Sequence, residues 1–384
     1  MTALIAPQSF AAALFDTGSA LKARVLEGAE ALDILARARG HATPFQSARW
    51  LESFLVAHLA LTDFRLIEIS DVKGNALLLP LRKSRHWGGN VGEKIGEGHA
   101  SYFFPVLAGE TSDWPQEALR AALTAAGREA GFDAFLFEEA PLTWMGHANP
   151  LAELPHQPAP SEAAGLTLMP DAEALLARLS DRDDRKKLRQ KSSKLAAFGE
   201  LRTGWVTRET EIRAVLAQYF SWKAGQFAAL GITDPFAEPE IRAFLEAATL
   251  GDTRAIRLYT LHAGERLLAV LGGALGAESF SGMFTAYDPD AAVARYSPGE
   301  VLLVALIRTL CSEGAHQFDL GVGEARYKAH YCPETIALAD IAVPVSGRGR
   351  ILAAMWRLKR GLKRKFKQNE AAFGLLKRLR RRLR

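Results

Sequence analysis

Asp319, Glu324, Tyr327 and Lys328 lie within ten residues of one another, around Gly321-Val322-Gly323. A carboxylate in such a cluster can take a proton from an amine, and Tyr or Lys can return one to a thiolate leaving group. Read alone, the stretch is also what a charged loop with one internal ion pair looks like. A second group is Arg295-Tyr296-Ser297-Pro298-Gly299-Glu300, which opens a helical pattern over 301–311. Ser297 suits an N-cap, Pro298 the first helical position, and Glu300 the far side of a capping box. The same start offers backbone N–H groups and a positive dipole end to a pyrophosphate. Pro298 removes one donor and Glu300 brings a carboxylate close, so on these residues alone a well-capped helix is the simpler account.

Several chemistries are excluded by spacing. The nine histidines form no HExxH or H-x-H pattern, and Cys311 and Cys332 are too few for a disulfide scaffold or a cysteine metal site, so no metal is expected. No GxSxG elbow is present. In the glycine-rich stretch 88–98, Glu93 precedes Lys94 and no Ser or Thr follows it, so the Walker pattern fails. That stretch reads as a turn-rich connection between strands. The run 321–326 puts Arg326 where a dinucleotide loop needs its third glycine.

The elements that must position these groups alternate between helix and strand. The pattern predicts helices over 20–39 and 47–60, a hairpin of 64–70 and 76–82, a helix over 115–130 and a strand over 134–138. A Pro/His-containing linker follows over 141–160. The second half predicts a very basic helix over 171–198, helices over 209–230 and 236–250, and a hairpin of 255–262 and 266–276. A strand over 279–287, a helix over 297–313, and strands over 317–320 and 336–345 complete it. Both halves read helices, hairpin, strand, helix, strand, with no repeat at residue level. This order means an α/β (α+β mixed-sheet) unit used twice.

The order hairpin, strand, Ser-Pro-Gly helix and Phe-Asp-Leu-Gly-x-Gly-x-x-x-Tyr-Lys resembles the GNAT-type acyltransferases. It is most similar to the branch named for the cellulose-biosynthesis protein CelD, related to the FemAB aminoacyltransferases. The basic 182–194 helix, Pro44-Phe45-Gln46-Ser47 with Trp50, and Leu79-Pro80-Leu81 carry the resemblance further, over about 40–345. It implies two tandem GNAT-like domains and a helix facing acyl-CoA phosphates, with the Asp-x-Gly-x-Gly strand lying across a splay. Phe284, Ala286, Arg295, Ser297 and Gly299 would then bind acetyl-CoA or a longer acyl-CoA, and Asp319, Tyr327 and Lys328 would be catalytic. Asp319 would act as general base or orienting carboxylate, Tyr327 as acid and Lys328 as charge stabiliser. The implied activity is N-acyl transfer to an amino sugar or other amine of exopolysaccharide or cell-envelope metabolism. Two alternatives stand beside it: a FemAB-like transferase fed by aminoacyl-tRNA, and a non-catalytic module sensing an anionic nucleotide or lipid.

Of the 384 residues, 48% are hydrophobic and 24% charged, ordinary globular composition. The longest uncharged strand-like run, 267–277, is too short to span a bilayer. The N-terminus has no Lys or Arg before its apolar stretch, a poor secretory signal, so a cytoplasmic protein is expected. Charge is divided unevenly. Residues 346–384 hold 15 of the 48 basic residues and one of the 43 acids, so this tail carries +14 and the remaining 345 residues −9. Ile351, Met355, Leu358, Leu362 and Phe366 fall at helical spacing among these cations, and Leu376, Leu379 and Leu383 continue the pattern. The tail is expected to lie on an anionic membrane, on its cytoplasmic face, or to pack on the acidic body. Nucleic acid is not expected, for no aromatic platform interleaves the charge. The anticipated division is 1–160, 161–345 and the tail 346–384.

Overall fold

The computed structural model describes residues 15–16, 21–58, 63–110, 113–251, 254–323 and 325–368. Two mixed sheets are built to one plan. In the first, strand Lys22–Glu27 and helices Gly28–Arg37 and Ala48–His58 precede three antiparallel strands, Phe64–Ser70, Ala76–His86 and Gly89–Lys94. Helix Gln116–Glu129 then returns the chain to Ala134–Pro141, which runs parallel to Gly89–Lys94. The second sheet repeats this with strand Leu201–Trp205, helices Glu209–Leu230 and Pro239–Thr249, and strands Ile256–Ala263, Arg266–Leu275 and Ser279–Tyr287. Helix Pro298–Ser312 returns it to Gln317–Val322, parallel to Ser279–Tyr287.

The two sheets exchange strands. Next to Ala134–Pro141 in the first sheet stands Leu338–Pro344, near the C-terminal end of the described chain. Next to Gln317–Val322 in the second stands Ala163–Thr167, which directly follows the first unit. The anticipated second unit, 161–345, therefore does not keep its last strand. Leu338–Val343 is buried throughout and bonded on both edges, to Ala134–Pro141 and to His156–Pro158. An apolar run shows that a strand is central but not which sheet it completes.

Other differences have local causes. The predicted 20–39 helix begins as strand Lys22–Glu27, and Gly28, at φ +57°, turns the chain into the helix. The basic 171–198 helix is two, Ala172–Leu179 and Arg182–Leu195, because Asp171 and Asp181 each accept the N–H three residues on and start a new helix. The glycine-rich 88–98 stretch holds strand Gly89–Lys94 instead of a loop. A Cβ on Gly92 would sit 2.5 Å from the Phe132 ring, so glycine there answers close packing.

A shared aromatic core joins the units. Trp50 and Phe54 of the first pack edge-on against Phe244 of the second, at 5.2 and 5.1 Å between ring centres. The anticipated tail, as far as residue 368, also belongs to this body. Helix Gly347–Gln368 buries Leu352, Ala353 and Trp356 against the first sheet. Arg360, 4% exposed, makes two hydrogen bonds to the fully buried Asp340 and one to Glu138. The pattern at 376–383 lies outside the described residues.

Removing one partner of a buried pair strands the other charge. Arg360→Ala should cost about 3–5 kcal/mol in urea unfolding. Arg360→Met with Asp340→Asn should recover part of that loss, since no unpaired charge is left at Asp340 and the amide oxygen still accepts the Glu139 N–H. Equal losses in both variants would show that the helix, not the ion pair, is at fault.

Candidate functional site

The parallel strands Ser279–Tyr287 and Gln317–Val322 are bonded only from Ser279↔Gln317 to Ser281↔Asp319. Asp319 sits at the last paired position, wholly buried. Its carboxylate accepts from Ser281 Oγ at 2.5 Å, from the Gly321 N–H at 2.9 Å and from Tyr102 Oη at 2.9 Å. Tyr102 comes from the first unit. Burial pushes the Asp319 carboxyl up to about 6, against the three donors and the nearby Lys328. Burial also raises the Tyr102 hydroxyl strongly, with the Asp319 charge second. At neutral pH, Tyr102 therefore stays a donor to a carboxylate that is largely ionised.

Tyr327 and Lys328 stand on the short helix Arg326–Tyr331 that follows the parted strand. Lys328 Nζ donates to the Val322 carbonyl at 3.3 Å, and burial lowers its pKa while Asp319 opposes the shift. Burial raises that of Tyr327, whose side chain still reaches solvent at 44% exposure. The buried Cys332 thiol is pushed up by burial and then by Asp319, so it stays protonated. Asp319 and Lys328 thus feel one another, whereas Tyr327 reaches outward.

At the other group the helix Pro298–Ser312 starts as read, but not by the expected capping box. Ser297 takes φ +50°, its side chain caps nothing, and its carbonyl accepts from the Glu300 and Val301 N–H groups. Glu300 turns away from the cap, to Lys191 of the basic helix and to Tyr331 Oη at 2.9 Å. Lys191 offsets the carboxylate that would otherwise repel an anion here. The Gly299 N–H meets no acceptor among the described residues. A Cβ on Gly299 would meet only Tyr287 Cδ1, at 3.7 Å, so packing does not demand the glycine. An open donor beside a neutralised carboxylate fits a phosphate.

The remaining residues expected at the donor site are divided. Arg295 is exposed, its guanidinium 4.7 Å from the Tyr296 ring centre. Phe284 packs on Tyr219 at 4.7 Å, and Ala286 is buried in the shared core. These two are taken up in core packing and do not stand free toward the helix start. Sequence reading missed Ser281, Tyr102 and Lys191. Ser281 follows from the register opposite Asp319, but Tyr102 and Lys191 arrive from other elements with no local signal. Among the described residues, no group of three or more His, Cys, Asp or Glu could hold a metal ion.

The first unit parts its parallel strands in the same way, beyond Glu93↔Leu136. There the gap is crossed by Lys94, which bonds Glu139 at 2.6 Å and the Ala100 carbonyl at 3.0 Å, and by Arg360 near Glu138 and Glu139. The helix Gln116–Glu129 that follows starts at Pro115 with Glu117 in its first turn, paired to Arg120 of the same helix at 2.6 Å.

With this geometry in place, comparison with known proteins is informative. The family model described as acetyltransferase (GNAT) domain matches residues 182–329. That span carries both groups. Among solved structures, FemX is similar at TM-score 0.55 and 10% identity, over 84% of this chain and 98% of its own. The C-terminal domain of an Agrobacterium fabrum protein assigned as a lysylphosphatidylglycerol synthetase aligns at TM-score 0.51 and 16% identity, covering 85% of this chain and 95% of that domain. A conserved Bacteroides thetaiotaomicron protein of unknown function gives 0.50 and 14%, over 82% and 95%. At such identities the likeness is one of fold. No curated protein matches the chain.

The Asp319 carboxyl titrates higher folded than unfolded, so the folded state holds the extra proton between about pH 4 and 6. Its contribution to stability is complete below that window and is lost as pH rises through about 6. Asp319→Asn should therefore gain stability relative to the parent as pH climbs from about 4.5 to 7.5, read as the difference of two urea-unfolding series. Parallel series would mean that Asp319 does not titrate in this range.

Proposed function

We propose that the chain is an N-acyltransferase that moves an acyl group from an acyl-CoA, acetyl-CoA or longer, to an amine. The GNAT domain match over 182–329 and the open helix start at Gly299 support this reading together. The Asp-x-Gly-x-Gly turn and the Ser-Pro-Gly start favour the CelD branch, and with it an amine-bearing sugar of exopolysaccharide or cell-envelope metabolism. In the reaction the amine nitrogen bonds the acyl carbon, the carbon–sulfur bond breaks, the nitrogen loses a proton and the sulfur gains one. The Gly299 N–H and the uncommitted Ser297 hydroxyl hold donor phosphate, with Arg295 beside them, while the Ser297 N–H is spent on the Ala294 carbonyl. Asp319, buried and triply bonded, orients the splay and fixes Tyr102. Tyr327 supplies the proton to sulfur, and Lys328 offsets negative charge. Because an oriented amine attacks a thioester with little further help, positioning carries most of the rate.

One observation favours a second reading. Arg182, Lys186, Arg189 and Lys194 of the basic helix are exposed and make no ion pair among the described residues. That face suits the ribose-phosphate end of a coenzyme, and equally an aminoacyl-tRNA as in the FemAB transferases. A purely regulatory module would bind the same anion without turnover.

Calorimetry with acetyl-CoA and longer acyl-CoA separates these readings, and one site per chain is expected because the first unit's gap is bridged by ions. Gly299→Val should weaken donor binding about tenfold or more while the melting temperature stays near that of the parent. Tyr327→Phe should lower thiol release with an amino-sugar acceptor by about 10–100-fold at unchanged donor affinity. Unaltered affinity in Gly299→Val removes the helix start from the site. Transfer from aminoacyl-tRNA without coenzyme binding would favour the second reading.

A further inference from the structure

Helix Gly347–Gln368 presents two apolar faces. One is covered: Leu352, Ala353 and Trp356 pack on the first sheet, and Arg360 is tied to Asp340. The other is not. Ile351, Met355, Leu358, Leu362 and Phe366 recur at spacings of four, three, four and four, which places them in one row along the helix. Their exposures run from 43% at Met355 to 65% at Leu358. Five large apolar side chains in an exposed row exceed what a soluble surface scatters at random.

Cations border the row. The helix holds nine Lys and Arg and no acid. Arg350 and Arg364 lie toward one side of the row, where Arg357 is turned inward to the Ala342 carbonyl, and Arg348, Lys359 and Lys363 lie toward the other. None of these six makes an ion pair among the described residues. A further apolar group stands at the border: Trp87, 47% exposed at the tip of the hairpin 76–94, lies beneath Lys359 Nζ, 5.8 Å from its ring centre. The same hairpin tip is fastened to the helix by Arg348, which donates to the Gly88 carbonyl. Indole beside a basic amphipathic helix is the composition of a face that sits in a bilayer interface.

We propose that helix 347–368 and Trp87 form a membrane-docking face that lies flat in an anionic lipid surface, with the helix as a fixed part of the first sheet. Charge complementarity selects this occupant. A second copy of the chain would bring the same cations against these and repel them, whereas anionic headgroups neutralise both borders while the row enters the acyl boundary. Long basic side chains keep their charges at headgroup level as their stems cover the apolar row. The proposal does not depend on which donor the transferase site takes.

The test uses the full chain and sedimented vesicles. Vesicles with about 30 mol% phosphatidylglycerol in phosphatidylcholine should bind the protein, and pure phosphatidylcholine should bind it at least about tenfold less. Raising salt from about 0.05 to 0.5 M should release most of it. Leu358→Glu with Leu362→Glu should abolish binding while melting temperature and calorimetric donor affinity stay at parent values, since both side chains already face solvent. Trp87→Ala should weaken binding several-fold. Vesicle binding by the double variant at the parent level, or equal binding to neutral vesicles, overturns the proposal. So does a parent dimer in light scattering that becomes monomeric in the double variant with no vesicle binding by either, for the row would then be a self-interface.

Discussion

Two strands that run parallel and then part leave backbone donors and acceptors facing one another without partners, and a protein interior does not tolerate such groups unpaired. Both sheets of this chain contain that parting, after Glu93↔Leu136 and after Ser281↔Asp319. Much of what surrounds them is an answer to it. In the second sheet Asp319 takes the Gly321 N–H, and Tyr102 of the first unit reaches over to close the carboxylate. In the first, Asp340 takes the Glu139 N–H, and the Glu139 carbonyl accepts from Phe103. Each parting is thus completed by a residue from the strand or segment that the other half of the chain supplies.

The two answers differ in charge. Lys94, Glu139, Arg360, Glu138 and Asp340 form a compact ionic bridge in the first gap. Ions so paired cannot be displaced by a neutral ligand arm without stranding several charges at once. In the second gap the bonds to Asp319 come from hydroxyls and a backbone N–H, the helix start beside it keeps a free donor, and cations crowd the adjoining helix. One sheet is closed as a scaffold. The other carries no such bridge among the described residues.

The sequence made the order of elements legible because helix and strand periods are local. It made the Ser-Pro-Gly start and the Asp-Gly-x-Gly turn legible for the same reason. Pairing across the chain was not. The 336–345 stretch reads as a strand, yet only the register with Phe135, Leu136 and Phe137 shows that it completes the first sheet. The 88–98 stretch read as a connection because glycine signals turns, while Gly92 is there to admit the Phe132 ring. Ser297 and Glu300 matched a capping box by spacing, but Lys191 and Tyr331, both remote in sequence, compete for Glu300 and win. The stripe in the tail was visible, but not that it is the outward one, since a helix with two apolar rows shows both in projection.

Strand exchange also fixes where the basic helix must go. Because Leu338–Pro344 lies between Ala134–Pro141 and His156–Pro158, the chain leaves the first sheet at Val345, and Asp133 takes hydrogen bonds from Val345, Ser346 and the Ser346 hydroxyl. The helix that follows therefore lies on the first unit and not on the one with the open site. It is held there by the buried Arg360, by Leu352, Ala353 and Trp356, and by hydrogen bonds from Trp356 to Glu138, Arg357 to the Ala342 carbonyl and Arg348 to the Gly88 carbonyl. If packing were the whole purpose of the segment, the cations that bond nothing on the sheet and the outward row would add only self-repulsion and exposed apolar surface, both of which lower stability and solubility. Arg360 alone is tied to acids of the sheet, while the six cations bordering the row form no ion pair among the described residues, the distribution a face meeting an anionic surface requires.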